Sequence, residues 1–133
     1  MKQKKFSLFK RIKSFRFAFN GLKILIKEEH NSRMHLFASV VILIAGIAFK
    51  LSPFEWIAIV FAIGFVLAFE IMNSAIENIA DFISPEKHEK IKMIKDLAAA
   101  GVLVSAFTSI IIGFIVFLPK ILELLLFSDL TTI

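Results

Sequence analysis

The chain has 133 residues, room for one domain and not for two. It is 58% hydrophobic with a mean hydropathy of +0.82, against about 45–50% apolar residues in soluble domains, which argues against a water-soluble fold. Cysteine is absent, excluding disulfides, thiolate nucleophiles and thiolate metal sites, and sixteen Lys+Arg against eleven Asp+Glu leave a formal charge of +5 that is unevenly spread.

Residues 1–30 carry a basic helical pattern. Ile12, Phe15, Phe19, Leu22 and Ile26 recur at alternating steps of three and four, with Lys10, Lys13, Lys23 and Lys27 mostly off that stripe. This predicts an amphipathic helix lying in the membrane interface, its apolar side in the acyl boundary and its cations facing anionic headgroups. The same stripe could pack on the spans, with Gly21 permitting a close crossing. No unbroken apolar core precedes a cleavage site, so a secretory signal is not expected. The basic run is explained by the membrane and implies no nucleic acid.

Three stretches then lack charge: Leu36–Phe49, Trp56–Phe69 and Leu97–Pro119. Spanning takes about 20 mainly apolar residues at 1.5 Å each. The third stretch meets this alone. The first needs Met34 and Leu51, and the second continues through Ile71, Met72, Ala75 and Ile76 if Glu70 and Asn73 face protein. Spans are predicted at about 33–52, 54–82 and 97–119, with a polar connection at 84–96 broken from the second span by Ser84-Pro85. A tail covers 120–133. Its Leu124–Phe127 patch is too short to span and has no assigned role. No internal repeat or second domain is visible.

Residues 1–33 hold ten basic side chains and four lie in the second connection. Lys50 alone follows the first span, and Lys120 alone follows the third. This asymmetry predicts a multi-pass protein of the cytoplasmic membrane, with a cytoplasmic N-terminus and an external C-terminus.

Acidic residues at the edges of the apolar stretches carry the chemistry. Glu70, Asn73 and Glu77 stand at i, i+3 and i+7 and share a helix face, with Asp81 near it. A charge at the bilayer centre costs about 2.5–3.5 kcal/mol on insertion scales. These side chains either tie spans together, pairing with Lys95 or Arg33, or they form a site. Ion pairing alone leaves acids in excess of bases along this face. Glu28, Glu29, Lys95 and Asp96 fall at the same interface. Carboxylates suit a hydrated magnesium, a lysine suits a phosphate, and a desolvated carboxylate suits proton abstraction. Together these parts fit phosphoryl transfer.

Other arrangements are missing. No glycine-rich phosphate loop occurs. His30, His35 and His88 lie apart without metal-ligand spacing and read as interfacial hydrogen-bonding groups. Ser74 has no adjacent base, so a serine hydrolase is not supported. A small oligomeric channel or transporter, with Glu70 and Glu77 lining an ion path, is the alternative to an enzyme. It would not need Lys95-Asp96 beside the acids.

The run Glu70-Ile71-Met72-Asn73-Ser74-Ala75-Ile76-Glu77, followed by Asp81, Glu86, His88 and Lys95-Asp96, resembles the signature of the small prokaryotic diacylglycerol kinases and their Gram-positive undecaprenol kinase relatives. The resemblance covers roughly residues 8–118, including Gly21-Leu22 and Glu29 with Arg33. An E-x-x-N-[ST]-A-x-E run with Lys-Asp eighteen residues later rarely arises in unrelated spans. Leu51–Trp56 resembles the undecaprenol kinase branch more than the other.

The resemblance implies an all-α homotrimer of three-span subunits, each with an N-terminal surface helix, and active sites at subunit boundaries. It implies transfer of the γ-phosphate of MgATP to a lipid hydroxyl. It assigns Glu70 as general base and substrate contact, Asn73 as a polar support for the reacting groups, and Glu29 and Glu77 as magnesium ligands that hold the nucleotide. It makes Phe17, Glu86, His88, Lys95 and Asp96 nucleotide contacts and Lys10 a substrate contact. Two positions depart from the family pattern. Lys10 replaces an arginine and loses its bidentate fork, and Phe17 replaces a tyrosine and loses its hydroxyl.

Overall fold

The computed structural model describes residues 8–86 and 88–130, all-helical in four elements. These are α1 (Leu8–Glu28), α2 (His30–Ala48), α3 (Pro53–Ile83) and α4 (Glu89–Leu130). The last three are long and apolar enough to cross a membrane. Consecutive spans run in opposite directions. The start of α2, the end of α3 and the start of α4 therefore meet at one end of the bundle, where Glu29, Glu70, Glu77 and Asp81 lie.

Each boundary has a local cause. Glu29 leaves helical geometry for extended backbone (φ −103°, ψ 115°), separating α1 from α2 by one residue. At the far end of α2, Lys50 turns left-handed with φ 50°. The Leu51 amide then donates to the Gly46 carbonyl at 3.1 Å and the Lys50 amide to that of Ile47 at 3.1 Å, the paired bonds of a Schellman stop. Ser52 opens α3 with a capping box. Its hydroxyl accepts from the Glu55 amide, its own amide donates to the Glu55 carboxylate at 2.6 Å, and Pro53 occupies the first turn. The helix ends at Ser84, held extended (φ −141°) before Pro85.

Two expected boundaries move. The connection predicted over 84–96 shortens, because α4 already begins at Glu89. Residues Glu89–Asp96 contain no breaker, and their alternating charges suit neighbouring helical turns. The end expected near Pro119 also moves, since α4 continues to Leu130. Proline removes the amide that the Ile115 carbonyl would accept from. The leucine-rich sequence beyond it still favours helix, and Lys120 Nζ holds Glu55 at 3.2 Å, tying this part of α4 to the first turn of α3.

The most extensive packing joins α3 to α4, while α2 packs on α3 and α1 touches both. Buried Leu51, Ile59 and Val116 form the core cluster, surrounded by Ile42, Phe49, Trp56, Ile112 and Phe117. Two glycines permit close approach. A Cβ at Gly46 would lie 2.7 Å from the Trp56 ring, and one at Gly101 would lie 2.9 Å from the Phe69 ring. Nothing lies within 4 Å of a Cβ at Gly21, so the close crossing entertained there does not occur. On α1 the predicted stripe is exposed, and the buried residue is Leu25, outside that stripe. Many large apolar side chains of the spans also face outward, Phe37, Phe54 and Phe82 among them.

Candidate active site

Glu70 turns inward and is 4% exposed despite its apolar neighbours in sequence. Both carboxylate oxygens are engaged from α2. Ser32 Oγ donates to Oε2 at 2.8 Å, and His35 Nε2 lies 3.2 Å from Oε1. The buried acid is thus solvated by fixed protein groups, which offsets its removal from water.

One turn on, Asn73 Nδ2 donates to Glu77 Oε1 at 3.2 Å. The carbonyl oxygen of Asn73 is buried and has no hydrogen-bond partner among the described residues. Ser74, also buried, lies 3.5 Å through its hydroxyl from Glu29 Oε1. Glu29 occupies the N-cap position of α2 but makes no side-chain cap bond, so its carboxylate is turned toward α3. The two helices therefore exchange contacts: Ser32 of α2 holds Glu70 of α3, and Ser74 of α3 reaches Glu29 of α2.

Further along the same face, Lys95 Nζ bonds Asp81 Oδ1 at 2.8 Å. Lys95 is therefore joined to Asp81, one of the two pairings entertained for the acids. Arg33 is not joined to them, since it donates instead to His30 Nδ1 at 3.3 Å. Glu29 and Glu77 are both half-buried. Among the described residues, no group of three His, Cys, Asp or Glu is arranged to hold a metal by itself. Two accessible carboxylates nevertheless fit magnesium, which takes one or two from protein and completes its shell with water and phosphate oxygens.

Among the described residues, no hydrogen bond or ion pair joins the remaining predicted residues to this cluster. Phe17 is exposed on α1. Glu86 and His88 lie in the connection before α4, engaged with local backbone: Ser84 Oγ donates to the Glu86 carbonyl and the Lys90 amide to His88 Nδ1. Asp96 is exposed on α4. The Lys10 side chain lies outside the described residues.

Two members of the site have no assigned partner in the sequence: Ser32 is not singled out, and His35 is read as an interfacial hydrogen-bonding group without Glu70 being named as what it meets. Their i, i+3 spacing puts them on one face of α2, a signal that needs Glu70 opposite to acquire meaning.

His35 also borders a cavity of about 490 Å³ between α2, α3 and α4, walled by residues such as Ile42, Val66, Ile110 and Phe114. Among the described residues it is the sole ionisable side chain on that wall. The serine hydroxyls there are committed to backbone, Ser39 to the His35 carbonyl at 2.7 Å and Ser109 to that of Ala62 at 3.0 Å. The cavity is thus apolar along its length, with His35, the partner of Glu70, on its wall.

A multi-pass helical membrane protein, with a buried carboxylate held between two spans and an apolar groove bordered by that acid's histidine partner, is the class defined by this geometry. The family model described as prokaryotic diacylglycerol kinase matches residues 16–117. The chain belongs to that family and is a lipid kinase. It is 39% identical over 109 residues to an undecaprenol kinase of Bacillus subtilis, covering 82% of this chain and 89% of that one. It is 30% identical over 113 residues to a diacylglycerol kinase of Synechocystis, covering 84% and 65%. With a diacylglycerol kinase of Haemophilus influenzae it shares 29% identity over 94 residues, covering 71% and 80%.

Proposed function

We propose that this protein transfers the γ-phosphate of ATP to the hydroxyl of a membrane lipid at the cytoplasmic interface. The acceptor is of the undecaprenol or diacylglycerol type. The higher identity to an undecaprenol kinase, together with the Leu51–Trp56 sequence, favours the polyisoprenoid alcohol. The observation that carries the proposal is buried Glu70, held by Ser32 and by His35, which itself borders an apolar groove. A greasy chain in that groove would bring its terminal hydroxyl beside His35, the residue that contacts the carboxylate.

Glu70 accepts the hydroxyl proton as the alcohol oxygen attacks the γ-phosphorus. The bond from that phosphorus to the β,γ-bridging oxygen breaks, and ADP leaves with the bonding electrons. The proton on Glu70 then passes to water. Asn73 supports the reacting groups, its free carbonyl oxygen being an acceptor for a donor that a substrate would bring. Glu29 and Glu77 would hold magnesium, which when bound neutralises phosphate charge. Lys95, Asp96, Glu86, His88 and Phe17 would contact the nucleotide, and Lys10 the lipid.

The N-terminal helix would lie in the interface by its Ile12–Ile26 stripe, the basic segments would be cytoplasmic, and three subunits would assemble. The outward apolar residues of the spans suit both lipid and subunit contact. The family match favours a kinase over the ion-path alternative.

The test is radiolabelled ATP and magnesium with purified protein in mixed micelles, with undecaprenol and diacylglycerol offered side by side. Labelled lipid is expected, predominantly from undecaprenol. No labelled lipid from either acceptor would refute the proposal.

A further inference from the structure

The Glu70 carboxylate is gripped twice by the same helix. Ser32 takes Oε2 at 2.8 Å and His35 takes Oε1 at 3.2 Å. One turn separates the two donors, so both bonds hang from one rigid element and together fix the carboxylate plane. Each oxygen has a second lone pair, leaving room for the proton of an incoming hydroxyl. With ionised Glu70 as the acceptor, the contact with Oε1 puts a proton on His35 Nε2, and a neutral ring would then carry its lone pair on Nδ1.

The two partners differ in surroundings. Ser32 is 2% exposed, a buried tether. The His35 side chain is 33% exposed against 5% for Glu70, and it forms part of the groove wall. The imidazole therefore stands between the apolar groove and the carboxylate. No hydrogen bond or ion pair joins it to Glu29, Glu77, Asp81 or Lys95 among the described residues.

Given the lipid-kinase reading, on which this inference rests, we propose that His35 is a positioning residue for the general base. It aims the Glu70 carboxylate at the hydroxyl emerging from the groove, while Ser32 fixes the other oxygen. It acts through Glu70 and leaves the nucleotide to other residues. Its loss should therefore slow proton abstraction without loosening MgATP.

The test compares wild type, His35→Leu and His35→Gln as full chains in mixed micelles, with kcat and the KM for MgATP measured for each. Leucine keeps bulk and removes the donor, and its kcat is expected to fall about tenfold to a hundredfold, as on losing a residue that orients a reacting group. The KM for MgATP should stay unchanged. Glutamine can place an amide donor near the former Nε2 and should restore most of the rate. A wild-type kcat in His35→Leu, or a joint failure of kcat and nucleotide KM without rescue by glutamine, would overturn the proposal. A wild type unable to phosphorylate any lipid alcohol would instead refute the kinase reading itself. Imidazole nitrogen NMR of the labelled protein reads the contact without turnover. A protonated Nε2 whose signal moves in Glu70→Gln is expected, and an unprotonated Nε2 would overturn the proposal whatever the activity.

Discussion

The hydroxyl of Ser32 lies 2.8 Å from Oε2 of Glu70, joining residues thirty-eight positions apart in the chain. Through this bond the start of one span fixes an acid in the interior of the next. With the nearby Ser74–Glu29 contact at 3.5 Å, it makes the site a product of how α2 and α3 pack.

If Glu70 is the base, Glu70→Gln should abolish turnover and spare MgATP binding. Glutamine keeps the shape and can still accept from Ser32, but it cannot take the hydroxyl proton. The loss should be at least the roughly 10²–10⁴-fold typical of general-base catalysis. Single-turnover phosphorylation beside a direct nucleotide-binding assay checks both halves. Normal turnover by the purified variant would end the assignment.

Glu77→Gln should behave differently. Removing one of two carboxylates that suit magnesium weakens nucleotide binding at least about tenfold, the lower range for disturbing a metal site. The defect should shrink as magnesium is raised and vanish when wild type and variant are compared in chelator. Titration calorimetry across magnesium concentrations measures it. A deficit independent of the metal would assign Glu77 another role, such as holding the Asn73 amide.

The α2–α3 turn gives a stability prediction far from the chemistry. Ser52→Ala removes the acceptor for the Glu55 amide and leaves half of the capping box, which should cost about 1 kcal/mol. Lys50→Gly should shift stability the other way by up to about 1 kcal/mol, since a side chain at φ 50° is disfavoured where glycine is not. Thermal unfolding in one detergent, with both variants run beside wild type, reads the two signs.

The glycines should separate into two kinds. Gly46→Ala would set a methyl 2.7 Å from the Trp56 ring, and forcing that contact should cost about 1–3 kcal/mol. Gly64→Ala meets nothing within 4 Å in the chain and should stabilise α3 by about 0.5–1 kcal/mol through lower backbone entropy. Equal melting shifts for the two would contradict this packing of α2 against Trp56.

Much of the architecture was legible because membranes impose length and charge rules on a chain before any tertiary contact forms. Three charge-poor stretches announced three long helices, and Ser84-Pro85 marked the end of the second by local chemistry alone. The places where expectation moved were governed by weak local signals. Glu89–Asp96 is polar enough to resemble a loop, yet nothing in it opposes helix. Pro119 resembles a terminus, yet Lys120 engages Glu55 from the helix that continues beyond it.

The site was legible in part. The spacing of Glu70, Asn73 and Glu77 determined by itself that they share a face, because an α-helix has a fixed pitch, and apolar neighbours showed that this face needed protein around it. Which groups meet the buried carboxylate was decided only by packing. Ser32 and His35 are unremarkable polar residues in a span until α2 is set against α3. Helix pitch is a property of one segment, whereas a hydrogen bond between segments depends on their relative rotation and depth, which the contacts of the whole bundle set together.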